Sequence, residues 1–143
     1  MKKLLSNKTI ETKKIQYSID KYLDNSKNGA YLNAEVIDLV KEYLLKIDES
    51  LCKIIAFSIM PNHIHILLVQ NGELAKIVQH IKGGLAFHIN KELGKSGSLW
   101  QKDYFDKAIR DEKHFGVTYE YIKNNALKAG LFDADRRFFS IYE

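Results

Sequence analysis

Cysteine and proline are nearly missing from this chain, which has one of each among its 143 residues. The lone Cys52 excludes an intramolecular disulfide framework and favours a reducing compartment, so a cytoplasmic protein is expected. One proline and eight glycines argue against flexible linkers or low-complexity tails. No apolar run reaches the length that spans a bilayer. These absences leave a single domain over residues 1–143, long enough to bury a hydrophobic core.

The charge of the chain is only mildly biased. It has 22 lysines and arginines against 18 aspartates and glutamates, a formal net charge of +4. This balance is compatible with a polyanionic partner such as nucleic acid, but it does not specify one. Several lysines crowd the first fourteen residues. Residues 1–20 are therefore either a basic arm or the place of a first strand.

Apolar spacing predicts a helix followed by a β-hairpin. Over residues 34–47 the apolar side chains recur at three- and four-residue intervals, and Asn33 is the expected N-cap. Residues 53–60 and 63–69 are two apolar runs separated only by Pro61-Asn62. Two such runs joined by a tight connection indicate a hairpin.

The second half of the chain predicts a helix, a strand and a helix. The first helix begins near Glu73, and the pair Gly83-Gly84 within it marks a kink, a break or a close backbone approach. Residues 99–110 are rich in aromatic side chains and predict a strand. Residues 111–129 predict the last helix, which ends at Gly130, a favoured residue just beyond a helix C-terminus.

The resulting order lacks only the first strand of a split β-α-β unit. The candidate lies within residues 9–19, where Ile15, Tyr17 and Ile19 alternate with polar residues. The same stretch also fits a helix through Ile15, Ile19 and Tyr22, and both alternatives stay open. The predicted fold class is α+β, an antiparallel sheet with helices packed on it.

Two histidines share one face of the second hairpin strand. In the segment MPNHIHILL, His63 and His65 are two residues apart, so on a strand their side chains point to the same side, about 7 Å apart. Two imidazoles at this spacing can chelate one divalent metal. The alternative is a pair of half-buried histidines that hydrogen-bond backbone groups, and the motif alone does not decide between them.

The last predicted helix has an apolar stripe beside a polar one. The apolar stripe predicts the core-facing side and consists of Phe115, Tyr119, Ile122, Ala126 and Ala129. The polar stripe consists of Thr118, Tyr121, Asn125 and Lys128. Because Tyr121 and Asn125 are four residues apart, their side chains are neighbours. A phenol, a carboxamide and a lysine on one helical face suit phosphate chemistry, although a half-exposed tyrosine beside solvated polar residues is the alternative.

Three strings, MPNHIHILL, SLWQKDYFDKAIRDEKHF and YIKNNALKAGL, occur in the order and spacing of a known family. Together they resemble the REP-associated tyrosine transposases of the single-tyrosine HUH superfamily, named for its His-hydrophobic-His motif. The resemblance runs from about Tyr22 to Leu131. It implies a ferredoxin-like sheet of the HUH endonuclease and transposase type. In this chain Ala126 replaces the family's usual proline, which leaves the helix free to continue, and the segment before Tyr22 is shorter than the family's.

The resemblance also implies chemistry. The protein would be a transposase that cuts and rejoins single-stranded DNA through a covalent 5′-phosphotyrosine, with Tyr121 as the nucleophile. A divalent metal, Mg²⁺ or Mn²⁺, would be held by His63, His65 and Asn125. Two other classes of function also fit the sequence. One is an inactive DNA-hairpin-binding protein of the same fold, and the other is a metal-dependent nuclease without a covalent intermediate.

The expected partners are single-stranded or hairpin DNA. The residues expected to contact DNA, through phosphates or by base stacking, are Lys82, Trp100, Lys102, Lys107 and Lys128. Trp100 has a competing interpretation as a core residue. His80, His88 and His114 are assigned to surface or core packing. A homodimer is left open, because relatives in the superfamily include both dimers and monomers.

Overall fold

The computed structural model describes residues 16–22, 32–101 and 104–143. Within these ranges the chain forms five β-strands and three α-helices. In chain order they are β1 (Gln16–Tyr22), α1 (Glu35–Leu45), β2 (Cys52–Met60), β3 (His63–Gln70), α2 (Leu74–Leu93), β4 (Phe105–Ala108), α3 (Glu112–Lys128) and β5 (Phe138–Ser140). A short 3₁₀ turn, Ala134–Arg136, precedes β5.

The strands form one antiparallel sheet in the order β4-β1-β3-β2-β5. The first four follow the arrangement of a ferredoxin-like split β-α-β unit, so the predicted fold class is confirmed. The first strand is present as β1, which confirms the strand alternative for residues 16–19, while residues 9–15 lie outside the described part. β5 was not predicted. The predicted hairpin is confirmed, and it makes β3 the central strand of the sheet.

A hydrophobic core lies on each face of the sheet. On one face α1 and α2 pack against Ile64, Ile66 and Leu68 of β3. On the other face α3 packs against the alternate residues of the same strand, Leu67 and Val69. The predicted apolar stripe of α3 is buried at Phe115, Tyr119, Ile122 and Ala126, but Ala129 at its C-terminus is exposed. Because β3 alternates between the two faces, it fixes which residues can meet α3.

The predicted helix starts and interruptions need two corrections. Asn33 is not the N-cap of α1: Ala34 occupies that place with a φ of 52°, and the Asn33 side-chain oxygen instead accepts a hydrogen bond from Arg137 Nη2 at 2.7 Å. α2 runs unbroken through Gly83-Gly84. Of the three expected alternatives the close approach is the one observed, because a Cβ on Gly84 would overlap the ring and hydroxyl of Tyr43 from α1.

The predicted strand at residues 99–110 is shorter than expected, since β4 covers only Phe105–Ala108. The last helix closely matches its prediction. Asp111 caps it by accepting the backbone N–H of His114 at 2.7 Å, and Gly130 follows its end with a φ of 74°. Cys52 is buried at the start of β2, and burial raises the pKa of its thiol to about 11, so it is packing rather than a nucleophile.

A buried arginine ties the end of the hairpin to the rest of the fold. Arg137 pairs with Asp133 at 2.7 Å and donates to the carbonyl oxygens of Leu32 and Ile59, both at 2.9 Å. The backbone N–H of Leu32 in turn donates to the Pro61 carbonyl at 3.0 Å. These bonds fix the segment that leads into His63. No helix in the three described ranges combines the length and apolarity needed to cross a membrane.

Candidate functional site

The two histidines of β3 lie on the face of the sheet that α3 covers. They follow the alternation of Leu67 and Val69, which belong to the core beneath α3. His65 is buried, with 5% of its surface exposed, whereas His63 is half-buried and its Nδ1 lies 2.9 Å from Asn62 Oδ1. The predicted sharing of one face is therefore what the structure shows, at the centre of the sheet.

Two serines flank His65 from the neighbouring strands. Ser18 of β1 places its hydroxyl 2.6 Å from His65 Nε2. Ser58 of β2 is the register partner of His65, and its buried hydroxyl has no hydrogen-bond partner among the described residues. Because a hydrogen bond to one ring nitrogen fixes the orientation of an imidazole, Ser18 orients His65. Sequence reasoning missed both serines, since only the register of three strands brings them to the histidine.

Tyr121 lies directly over His65. The two rings are 5.4 Å apart between centroids and meet edge to face at 62°, and 52% of Tyr121 is exposed. Its phenol is therefore held against the histidine strand while solvent can still reach it.

Tyr119, two residues away, has the opposite environment. It is 3% exposed, and its hydroxyl donates to Glu143 Oε2 at 2.7 Å and accepts from the Ser140 hydroxyl, with the two oxygens 2.5 Å apart. Burial is the main reason that the pKa of Tyr119 is raised to about 12. Two residues on a helix are about 200° apart, so the structure separates a packed tyrosine from an accessible one, as the stripes predicted.

Asn125 follows Tyr121 by one helical turn on the polar stripe. Tyr119 contacts Ser140, which lies level with Leu67 in the sheet, and Tyr121 contacts His65. From Tyr119 to Tyr121, α3 therefore runs in the direction that leads from Leu67 to His65 along β3. A further four residues of helix add about 6 Å, and the step from His65 to His63 along the strand is about 7 Å. We therefore expect Asn125 at the level of His63.

The donor set at this place fits a divalent metal. The side-chain nitrogen of Asn125 is buried without a hydrogen-bond partner among the described residues. Rotating the amide by half a turn puts its oxygen, a metal ligand, in that buried position. In the described ranges, three or more His, Cys, Asp or Glu side chains nowhere converge in a metal-binding arrangement. A metal bound to the two histidines would consequently need a third protein ligand of another type, and the Asn125 amide oxygen is the candidate.

A groove of about 570 Å³ opens beside Tyr121. The described residues that line it are Ser18, His65, Asp106, Lys107, Arg110, His114, Val117, Thr118 and Tyr121. His114 was assigned to packing, but it lies in this groove, where its Nδ1 accepts the backbone N–H of Arg110 at 3.0 Å. Burial, followed by the positive charges of Arg110 and Lys107, lowers the pKa of His114.

The predicted DNA-contacting residues are not brought together as a set. Lys107 lines the groove, and Lys128 is exposed in the last turn of α3. Lys82 belongs to α2 on the opposite face of the sheet, and Lys102 lies outside the described residues. Trp100 is 2% exposed and donates its indole N–H to the Lys82 carbonyl at 3.0 Å. The prediction that Trp100 stacks on DNA bases is therefore wrong for this structure, and its interpretation as a core residue holds.

Arg110 and His114 were missed as groove residues, although the sequence contained a signal for one of them. His114 is four residues before Thr118 and extends the polar stripe of α3 by one turn. Arg110 lies between β4 and α3, where no periodicity predicts the direction of a side chain.

Comparison with known proteins places the chain in a family. The model of the family described as "Transposase IS200 like" matches residues 13–125. A protein of Haemophilus influenzae without an assigned function is 30% identical over an alignment of 95 residues, and the match covers 50% of this chain and 52% of that protein. The chain thus spans about half the length of this relative.

Two solved structures share the fold. One is a REP-associated tyrosine transposase bound to a REP hairpin, with a TM-score of 0.65, 20% identity, and coverage of 83% of this chain and 70% of that one. The other is a proposed transposase from Deinococcus radiodurans R1, with a TM-score of 0.59, 21% identity, and coverage of 79% and 92% respectively. The protein belongs to the family of IS200-like transposases, and it has the fold seen in a REP-associated tyrosine transposase.

Proposed function

We propose that this protein cuts and rejoins single-stranded DNA, with Tyr121 as the nucleophile and a divalent metal bound by His63, His65 and Asn125. The observation that carries the proposal is the contact between Tyr121 and His65. A half-exposed phenol is packed edge-on against a buried histidine, in a groove of about 570 Å³. Family membership supports the reaction class, and this contact supports Tyr121 and His65 as members of the site.

The reaction at Tyr121 is a phosphoester exchange. The phenol loses its proton, its oxygen forms a bond to the scissile phosphorus, and the bond from phosphorus to the 3′ oxygen breaks. The 3′ oxygen leaves and takes up a proton, so the products are a 5′-phosphotyrosine and a free 3′-hydroxyl. Because the covalent link conserves a phosphoester, a second strand can be joined without ATP. This outcome suits strand transfer better than hydrolysis.

His63, His65 and Asn125 would hold the metal, Mg²⁺ or Mn²⁺. When bound, it supplies positive charge that polarises the scissile phosphate and neutralises the charge that develops on it. Ser18 keeps the His65 ring in one orientation through its 2.6 Å contact. The mixed nitrogen and oxygen donor set favours Mn²⁺ over Mg²⁺, which prefers oxygen ligands and retains waters.

The expected substrate is single-stranded DNA beside a hairpin. The solved relative with the same fold is bound to a REP hairpin, and the groove next to Tyr121 is lined by Lys107 and Arg110. A single strand can bring its phosphate backbone to such a groove without the steric limits of a duplex. The oligomeric state stays a prediction, either a monomer or a homodimer that acts in trans.

The decisive experiment compares two tyrosine variants. Labelled single-stranded DNA from the chromosomal flanks of the gene is incubated with protein and Mn²⁺, and covalent adducts are resolved on a denaturing gel. Tyr121→Phe removes only the nucleophilic oxygen, so it should bind DNA and form no adduct. Tyr119→Phe is the matched control, because it deletes a hydroxyl on the same helix that faces the core.

The Tyr119→Phe control is expected to be less stable than wild type. Tyr119→Phe loses one buried and one part-buried hydrogen bond, which costs about 1–3 kcal/mol of stability, yet adduct formation should stay within a fewfold of wild type. An adduct with Tyr121→Phe would make Tyr119 the next candidate nucleophile. Cleaved DNA without any adduct in wild type would indicate a metal-dependent nuclease. Binding of a hairpin without cleavage would indicate an inactive hairpin-binding protein.

A further inference from the structure

Among the described residues, α3 covers only part of the sheet face beside Tyr121. α3 packs mainly over β2, β3 and β5, whereas β1 and β4 lie at the other side of the strand order. The groove lies between these strands and α3, with Ser18 and Lys107 from the strands and His114, Thr118 and Tyr121 from the helix. A ligand that occupies the groove beside Tyr121 therefore lies close to Lys107 and His114.

The strand register decides which charges face the groove. Lys107 is the register partner of Ser18, whose hydroxyl contacts His65, so Lys107 lies on the histidine face of the sheet. Asp106 also borders the groove, but its register partner is Ile19, which is buried in the opposite core. Because strand residues alternate between faces, the Asp106 carboxylate is directed away from the groove. Among the described side chains that line the groove, the remaining charged ones, Lys107 and Arg110, are positive.

The basic groups at this end of the groove are available to an anion. Lys107 and Arg110 are exposed, and neither has a carboxylate within ion-pair distance in the part of the chain that the structure describes. His114 accepts the Arg110 backbone N–H at Nδ1. Its neutral ring therefore carries its hydrogen on Nε2, which is a donor. Two cations and one N–H donor form a typical set of phosphate ligands.

We propose that Lys107, Arg110 and His114 form a phosphate subsite that holds a backbone phosphate of the single strand next to the one attacked by Tyr121. His114 precedes Tyr121 by seven residues, about 10 Å along the helix axis. The bound phosphate is consequently a neighbour of the scissile phosphate and not the scissile phosphate itself. The subsite would fix the direction in which the strand lies along α3. This inference rests on the proposed function of the groove as a DNA site.

The test measures binding to an oligothymidylate single strand in the Tyr121→Phe protein, which excludes covalent chemistry. Fluorescence anisotropy over a range of salt concentrations gives the slope of log K against log salt. Arg110→Gln and Lys107→Gln should each weaken binding and reduce the magnitude of the slope by about 0.7, the value per phosphate contact for a single strand. His114→Phe removes a neutral donor, so it should weaken binding at each salt concentration without changing the slope.

Lys113→Gln is the matched control. It removes the same charge one residue from His114, but Lys113 is exposed and is not among the described residues that line the groove. Its slope should equal that of the parent protein. The proposal is overturned if Arg110→Gln keeps the parental slope, if Lys113→Gln changes it as much, or if the parent does not bind the single strand.

The adduct assay with the Tyr121-containing protein separates the two proposals. If the adduct forms but the Lys107 and Arg110 variants keep the parental slope of log K against log salt, only the phosphate subsite is refuted. If binding depends on Lys107 and Arg110 but no adduct forms in the same buffer, only the assignment of Tyr121 as nucleophile is refuted.

Discussion

Two adjacent arginines give a sharp test of what holds the hairpin in place. Arg137 is 2% exposed and makes hydrogen bonds of 2.7–2.9 Å to Asp133, Leu32, Ile59 and Asn33. Its neighbour Arg136 pairs with Asp38 at 3.0 Å, but the two side chains are 44% and 70% exposed. Replacing either by Met removes one positive charge and keeps a long apolar stem. The two variants therefore differ chiefly in burial.

The expected costs differ severalfold. Arg137→Met leaves a buried carboxylate and two backbone carbonyls without partners, and breaking a buried pair in this way costs about 3–5 kcal/mol. The same change at Arg136 should cost less than about 1 kcal/mol, as for other exposed pairs. Against a total stability of roughly 5–15 kcal/mol for a domain, the first change should lower the thermal midpoint by about 10–20 °C. Urea and thermal unfolding followed by circular dichroism measure both values.

The pH dependence of the unfolding free energy provides a second test of the contact between Arg137 and Asp133. The hydrogen bond from Arg137 is the main reason that the pKa of Asp133 is lowered. A lowered pKa in the folded state means that the pair stabilises the protein above the ordinary aspartate pKa and that this contribution is lost as pH falls through the folded pKa. The difference in unfolding free energy between wild type and Arg137→Met should therefore become smaller at acid pH. If the unfolding free energies of the Arg136→Met and Arg137→Met proteins differ by less than about 1 kcal/mol at neutral pH, this account of the buried pair is refuted.

Two further predictions concern ligands. Ala at His63 or His65 should abolish metal-dependent cleavage while DNA affinity, which comes mainly from phosphate contacts, stays close to wild type; equal Mn²⁺ affinity of wild type and the double Ala variant by calorimetry would contradict the metal site. Single-stranded or hairpin DNA should bind more tightly than plain duplex, with affinity that falls as salt rises. Tighter binding of a blunt duplex than of a hairpin of the same sequence, in a gel-shift competition, would count against the proposed substrate.

Much of the fold was predictable because its elements carry strong periodic signals. The hairpin at 52–70 and the last helix were placed to within a residue or two. Shorter elements were not. β5 has only three residues, Phe138–Ser140, too few to show alternation, and it forms only because the edge of β2 is there to pair with it. The sequence also did not predict that α2 is continuous through Gly83-Gly84. Packing of Tyr43 against Gly84 outweighs the low helix propensity of the two glycines.

The sequence by itself determined that His63 and His65 share a face and that Tyr119 and Tyr121 point to different sides, because these relations follow from backbone geometry within a few residues. Only the tertiary structure decided what each of them meets. Ser18 reaches His65 across 47 residues of sequence, Trp100 is buried, and Lys107 faces the groove through its pairing with β1. Strand register and helix packing depend on contacts between distant segments, and no local pattern contains them.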